Sequence, residues 1–256
     1  DKVADAALRA GIPKSTPGLN LDALDLTFVL GTASPSGVDV ADAYATFAAQ
    51  GIQATPTVLR KVQGANGGLL YEFTAQTSKA FEPDTANTVT YALNKVATRG
   101  TGVAALALGR PAAVKTGTTD GNRSAWFAGF TPQLAAAVLM AKEDAQGKPL
   151  SLSGTGGLAT VTGGSFPAAI WTAFMKAALA DSAPMAFPKP PASALVGSNC
   201  PMVMPTDGTP LPIGCPTPQV AVFGPSNEPV TEGGAGEPST GPSADPAQID
   251  ATPKPQ

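Results

Sequence analysis

Proline is distributed very unevenly along this chain, and that distribution limits what can fold. Of its 26 prolines, 17 lie between Pro184 and Pro255. Proline has no backbone N–H group and interrupts helices and sheets, and a Pro- and Gly-rich segment buries too little apolar surface to offset the entropy lost on ordering. We therefore predict a folded domain over residues 1–181 and a largely disordered tail over residues 182–256.

The charged residues divide at the same boundary. Residues 1–181 contain 14 Lys/Arg and 13 Asp/Glu, whereas residues 182–256 contain 2 and 6, so the net charges are +1 and −4 and sum to −3. No basic run is present, which argues against a nucleic-acid partner. The chain has no histidine, the commonest metal ligand and general base, so we expect neither a metal site nor a cofactor.

Apolar spacing and capping residues predict four helices. The first occupies the opening residues and ends at Gly11, and the second begins with a capping box formed by Ser36 and Asp39. The third extends from Pro83 to Gly100, and the fourth begins after Ser165. For the fourth helix we expect a buried apolar stripe made of Ile170, Ala173, Phe174 and Ala177.

Short β-branched and apolar runs predict strands between these helices. Three runs are expected in the middle of the chain, at 112–116, 124–130 and 134–140, and a further hairpin at 57–62 and 69–73. Helices at both ends with antiparallel strands between them favour a mixed α+β fold. We expect a central antiparallel sheet with helices packed on both faces, followed by the Pro-rich tail.

The motif Lys115-Thr116-Gly117-Thr118-Thr119 carries the chemistry that can be inferred from the sequence. Lys-Thr-Gly is one of three sequence elements shared by serine β-lactamases and penicillin-binding proteins. A cation and hydroxyl donors suit a substrate that ends in a carboxylate, and an edge strand can direct a backbone N–H at a developing oxyanion. Glycine lets another group approach the backbone closely. Alone, the tripeptide is also compatible with a solvated strand end.

Four sequence blocks, in a fixed order along the chain, give a more specific interpretation than the Lys-Thr-Gly motif alone. The chain resembles class A penicillin-binding proteins of the actinobacterial type, which are bifunctional glycosyltransferase/transpeptidases of peptidoglycan synthesis. The resemblance runs through most of residues 1–180, and the matching blocks are 38–51 (VDVADAYATFAAQG), 99–102 (RGTG) with 109–111 (GRP), 115–132 (KTGTTDGNRSAWFAGFTP), and 163–171 (GGSFPAAIW) continuing to 176. The Thr-Thr continuation after Gly117 is also typical of class A enzymes rather than class B enzymes.

The resemblance implies a transpeptidase fold with a cleft beside the motif strand. It implies that Lys115 and Thr118 are catalytic, with Lys115 supplying positive potential and the Thr118 backbone N–H completing an oxyanion hole. It further implies that Thr116, Gly117, Thr118 and Thr119 bind substrate. The family attacks the penultimate D-Ala of a peptidoglycan stem peptide with a serine. The expected partners are therefore the D-Ala-D-Ala end of such a peptide and β-lactam antibiotics, which acylate the same serine.

The chain departs from the family pattern in two motifs. No serine is followed by lysine three residues later, and no Ser-x-Asn triplet occurs. In the family both motifs precede the helix with which this chain opens. We therefore expect a fragment of a longer parent, with no nucleophile of its own and inactive alone, whose missing N-terminal half is a partner. The parent is expected at the extracytoplasmic face of the membrane, with its anchor outside this chain.

Two alternatives remain open at this point. A β-lactamase or carboxypeptidase relative shares the Lys-Thr-Gly chemistry, and a catalytically silent scaffold or interaction module of the cell wall shares the fold. The tail adds a separate question, because Cys200 and Cys215 are the only cysteines and enclose 14 residues. Outside the cytoplasm we favour a disulfide between them, worth roughly 3 kcal/mol in the loop-entropy model, over two free thiols.

Overall fold

The computed structural model describes residues 2–19 and 30–192. Its helices are α1 (Lys2–Ala10), α2 (Gly37–Ala48), α3 (Pro83–Arg99) and α4 (Phe166–Ala178). Its strands are β1 (Ile52–Ala54), β2 (Lys61–Gln63), β3 (Leu69–Glu72), β4 (Thr77–Lys79), β5 (Ala113–Thr118), β6 (Ser124–Thr131) and β7 (Leu134–Ala141). All four predicted helices are present. None of the helices in these two ranges is long and apolar enough to span a bilayer.

The central sheet has three antiparallel strands in the order β5-β6-β7. Thr116 of β5 is opposite Phe127 of β6, which in turn is opposite Val138 of β7. The predicted central antiparallel sheet is therefore confirmed. In this order β6 is the inner strand, and β5 pairs with β6 alone within the described residues.

Helices cover both faces of this sheet. Phe127 and Phe130 project to opposite faces because side chains alternate along β6. Phe127 packs against Trp171 of α4, with ring centroids 5.3 Å apart, whereas Phe130 packs against Tyr44 of α2 at 6.2 Å. The α4 side and the α2 side therefore lie on opposite faces, which confirms the predicted mixed α+β architecture.

The main hydrophobic core lies between the sheet and α4. It joins Val114 and Phe127 of the sheet to Trp171 and Met175 of α4, and all four side chains are fully buried. The Trp171 indole N–H donates to the Ala136 carbonyl at 3.0 Å. The polar edge of the largest core side chain is thus satisfied by the sheet that it packs against.

The predicted buried stripe of α4 is wrong. Ile170 and Phe174 are 50% and 53% exposed, and Ala173 and Ala177 are exposed as well. The helix instead buries Pro167, Ala168, Trp171, Thr172 and Met175. Both sides of α4 carry apolar residues at helical spacing, so periodicity could not distinguish the face that packs on the sheet from the face that does not.

The segment between α2 and α3 forms two small antiparallel pairs. The predicted hairpin is present as β2 and β3, but it is shorter than expected and most of its side chains are exposed. The strands before and after this hairpin in the chain, β1 and β4, form the second pair, which was not predicted from the sequence.

The capping box of α2 is confirmed, because the Ser36 side chain accepts from the Asp39 amide and the Asp39 carboxylate accepts from the Ser36 amide.

Residues beyond the predicted boundary at 181 also contact the domain. The Phe187 ring packs edge-on against Phe130, with centroids 5.6 Å apart. The described part of the chain ends at residue 192. The division at 181, the disordered tail and the pairing of Cys200 with Cys215 stay predictions, and both cysteines lie outside the described residues.

Candidate functional site

The motif strand β5 presents half of its backbone groups away from the sheet. The Thr119 amide donates to the Ser124 carbonyl at 3.1 Å, continuing the ladder between β5 and β6. In an antiparallel ladder, alternate residues direct both backbone groups at the same neighbour. Gly117 and Lys115 therefore face β6, whereas the N–H and C=O groups of Thr118 and Thr116 point outward from the unpaired edge. An acceptor placed at this edge can reach the Thr118 amide.

Lys115 lies at the same edge with its side chain exposed. Its ammonium group donates to the Thr116 carbonyl at 2.8 Å, which is one of the outward-facing carbonyls. Within residues 2–19 and 30–192 the ion pairs are Arg9 with Asp5 and Lys79 with Glu82. The charge of Lys115 is therefore not neutralised by any described carboxylate and remains available to an anion.

The two threonines that flank Gly117 place their hydroxyls on one face of β5, because they are two residues apart. Thr116 is half-buried and Thr118 is exposed. The Thr118 hydroxyl oxygen accepts a hydrogen bond from the Gly163 amide at 3.2 Å. A backbone amide can only donate, so the Thr118 hydroxyl proton is left free to donate to a ligand.

The Thr116 hydroxyl has a different neighbour. Its oxygen lies 2.6 Å from the hydroxyl oxygen of Thr101, in the loop that follows α3. Either hydroxyl can be the donor in this pair. The resemblance implies that Thr116 and Thr118 both bind substrate, and the structure brings their hydroxyls to the same face of one strand.

Thr119 is engaged in the turn between β5 and β6. Its hydroxyl accepts from the Ser124 amide at 2.8 Å, and the Ser124 hydroxyl lies 3.3 Å away. A ligand can use the Thr119 hydroxyl only in addition to these bonds or in place of them. Its predicted role in binding substrate stays a prediction, and its observed role is to fix the turn that follows the motif.

Gly117 and Gly163 allow close packing at the motif. A Cβ atom on Gly117 would lie 3.3 Å from the Trp126 Cβ across the ladder, which is tight. A Cβ atom on Gly163 would overlap the Trp126 carbonyl oxygen and would lie 2.8 Å from the Gly117 carbonyl oxygen. The segment at Gly163 therefore lies directly on the backbone of the motif, on the face that carries the threonine hydroxyls.

Sequence reasoning assigned no role to Thr101 or Gly163. Both lie in blocks that resemble the family, at 99–102 and 163–171, but nothing local in either block indicates contact with β5. The Gly-rich composition of residues 154–164 is typical of a flexible loop. The structure instead packs its last residues against the motif strand, and that contact depends on a neighbour more than 40 residues earlier in the chain.

Replacing Gly163 with alanine is expected to lower the unfolding free energy by about 1–3 kcal/mol, the usual cost of forcing extra volume into a packed site. The added methyl group would collide with backbone atoms of β5 and β6, which cannot rotate away. Gly37→Ala is the matched control, because a Cβ atom there meets nothing within 4 Å. Urea titrations of both variants test this prediction, and equal stabilities for the two would contradict the close packing.

Two grooves formed by residues 2–19 and 30–192 do not include the motif. A groove of about 820 Å³ lies between α3 and residues 187–192 and is lined by Tyr91, Asn94, Arg110 and Phe187 among others. None of residues 115–119 lines it. Burial raises the pKa of the Tyr44 hydroxyl, which lies on α2, to about 12. Neither this groove nor Tyr44 involves a residue of the motif.

Comparison with known proteins places this geometry in a family. Residues 3–159 match the model of the penicillin-binding protein transpeptidase domain. Penicillin-binding protein 1A of Mycobacterium tuberculosis is 35% identical over 206 residues, which cover 73% of this chain and 24% of that protein. Penicillin-binding protein 1A of Neisseria cinerea is 32% identical over 160 residues, covering 60% of this chain and 19% of that protein.

Solved structures agree with the sequence matches. The penicillin-binding protein PonA1 from Mycobacterium tuberculosis superposes with a TM-score of 0.65 at 37% identity, covering 74% of this chain and 52% of that one. Its complex with penicillin V gives a TM-score of 0.60 at 34% identity, with the same coverage. The chain spans about a quarter of the length of the curated mycobacterial penicillin-binding protein 1A relatives. The family match, the relatives and the shared fold together show that this chain belongs to the penicillin-binding protein transpeptidase family.

Proposed function

We propose that this chain forms one wall of the active site of a serine-type D-Ala-D-Ala transpeptidase that cross-links peptidoglycan. The observation that carries the proposal is the unpaired edge of β5. There an unneutralised Lys115 ammonium, two threonine hydroxyls and an outward-facing Thr118 amide lie within four consecutive residues. A peptide carboxylate and a developing oxyanion need donors of these kinds.

Each group has a distinct task in this proposal. The Thr116 and Thr118 hydroxyls donate to the terminal carboxylate of the stem peptide, and the Lys115 ammonium adds attractive potential. The Thr118 amide donates to the carbonyl oxygen that becomes negative when the acyl carbon turns tetrahedral. The Thr118 hydroxyl oxygen already accepts from the Gly163 amide, so its own proton is free to donate to the carboxylate. β-Lactams bind in the same way, because they also place a carboxylate near a reactive carbonyl.

The nucleophile belongs to residues outside this chain. We propose that a serine of a longer parent attacks the penultimate D-Ala carbonyl, forming an ester while the terminal D-Ala leaves with the serine proton. An amine of a neighbouring stem peptide then attacks the ester carbonyl, forming the cross-linking amide as the ester C–O bond breaks and the amine proton returns to the serine oxygen. The chain alone, without Ser-x-x-Lys or Ser-x-Asn, is then inactive, and the upstream half is its obligatory partner.

The parent protein is proposed to be anchored in the membrane with this domain at the extracytoplasmic face, and to carry a glycosyltransferase domain. Three points support this: the class A resemblance, the penicillin-binding protein 1A relatives and the small fraction of those relatives that the chain spans.

Labelling with a fluorescent penicillin tests the proposed function. We expect the longer parent to take up one label covalently, and this chain, expressed as residues 1–256, to take up none. The physical reason is that the ester needs a serine that this chain does not contribute. Gel fluorescence after denaturation measures the covalent label, and boiled parent protein serves as the unfolded control.

Three results would contradict the proposal. A folded parent that is never labelled would favour the silent scaffold module, and labelling of the isolated chain would show that the nucleophile is among its own residues. Hydrolysis by the parent would instead indicate one of the two enzyme alternatives: rapid turnover of a chromogenic cephalosporin for a β-lactamase relative, or release of D-Ala from a stem peptide without cross-linking for a carboxypeptidase relative.

A further inference from the structure

Thr101 is far from the motif in sequence but touches it in space. It lies in the loop after α3, and its hydroxyl oxygen is 2.6 Å from that of Thr116. The loop is held in place on two sides. The Gly102 amide donates to the Val96 carbonyl at 3.2 Å, and a Cβ atom on Gly164 would lie 2.9 Å from the Thr101 carbonyl oxygen. The backbone that carries the Thr101 side chain is thus packed between α3 and the segment at Gly164.

The number of available protons decides what this contact can do. A hydroxyl has one proton to donate and two lone pairs that can accept. When Thr116 donates its proton to a carboxylate, its oxygen can only accept from Thr101. Thr101 is then the donor of the pair. The same arrangement exists at Thr118, where the Gly163 amide is the donor behind the hydroxyl.

We propose that Thr101 is a positioning residue for the anion site: its hydroxyl donates to Thr116 and so directs the Thr116 proton at the carboxylate of a bound ligand. The inference rests on the proposed function and identifies what supports the carboxylate-binding hydroxyls. Each of the two hydroxyls has one supporting donor behind it, a side chain for Thr116 and a backbone amide for Thr118. Only the donor behind Thr116 can be removed by a side-chain substitution.

A pair of penicillins separates this role from a purely structural one. The probes are benzylpenicillin, which carries the carboxylate, and its methyl ester, which does not. In the longer parent we expect Thr101→Val to lower the acylation rate constant about tenfold for benzylpenicillin, the effect of losing one hydrogen bond, and less than twofold for the ester. Thr101→Ser keeps the hydroxyl and is expected to restore most of the benzylpenicillin rate.

Thr98→Val is the matched control. Thr98 is an exposed threonine on α3 whose hydroxyl bonds to the Asn94 carbonyl of its own helix at 3.0 Å, so we expect neither rate to change. Equal losses for both penicillins in Thr101→Val, or no loss for either, would overturn the positioning role while leaving the proposed function in place. A wild-type parent that is not acylated at all would overturn both. Thermal melting of each variant verifies that it is folded.

Discussion

Lys115→Met is expected to lower the rate constant for acylation of the parent by benzylpenicillin about 100-fold. Methionine keeps much of the length of the side chain but removes its charge. The Lys115 ammonium has no described carboxylate to neutralise it, so its full charge acts on a ligand at the edge of β5. Losing a charge-assisted interaction costs roughly 1.5–3 kcal/mol, and each 1.36 kcal/mol changes a rate about tenfold.

Stopped-flow acylation at several salt concentrations measures this effect. We expect the wild-type rate to fall with added salt and the variant rate to change less, because exposed charges are screened. Lys176→Met is the matched control. It replaces an exposed lysine in the last turn of α4, and its rate is expected to stay within twofold of the wild type. If both lysine variants behaved alike, Lys115 would have no special role at the site.

Trp171→Ala is expected to lower the unfolding free energy by about 3–5 kcal/mol, the range for removing a large aromatic side chain from a core. Trp171 is fully buried and packs on Phe127. Its indole also donates to the Ala136 carbonyl at 3.0 Å, so its loss leaves a buried acceptor without that partner. Urea denaturation of the parent, followed by circular dichroism and by protease resistance of the domain, measures the loss.

Phe174→Ala provides the control for this prediction. It lies on the same helix, three residues further on, but is 53% exposed. Because the Phe174 side chain is largely outside the core, we expect Phe174→Ala to lower the unfolding free energy by less than about 1 kcal/mol. The reverse order of effects would mean that α4 packs through the Ile170 and Phe174 face, as the sequence analysis first predicted, and would contradict the structure.

The elements that sequence analysis located correctly are those determined by neighbours in the chain. The capping box of Ser36 and Asp39 involves residues three apart, so its sequence pattern predicts its geometry. The strands flanking 131–133 are likewise joined by a short turn and were found where expected. The Lys-Thr-Gly motif was recognisable for the same reason, because its donors lie on consecutive residues of one strand.

The features that sequence analysis missed depend on distant residues. The α4 stripe failed because Ile170 and Phe174 are as apolar as Trp171 and Met175, and the choice between the two faces is made by the sheet. The closeness of Gly163 to Trp126 and the bond between Thr101 and Thr116 join segments that local patterns do not relate. Gly163 and Thr101 were identified only as members of larger blocks that resemble the family.

A crystal structure of the parent protein acylated by benzylpenicillin tests the central claim most directly. We expect the ligand carboxylate to lie at hydrogen-bond distance, about 2.7–3.2 Å, from the Thr116 and Thr118 hydroxyls. We also expect the acyl carbonyl oxygen at the Thr118 amide and the ligand along the unpaired edge of β5. An acyl group whose carboxylate contacts other residues, with the edge of β5 unoccupied, would contradict it.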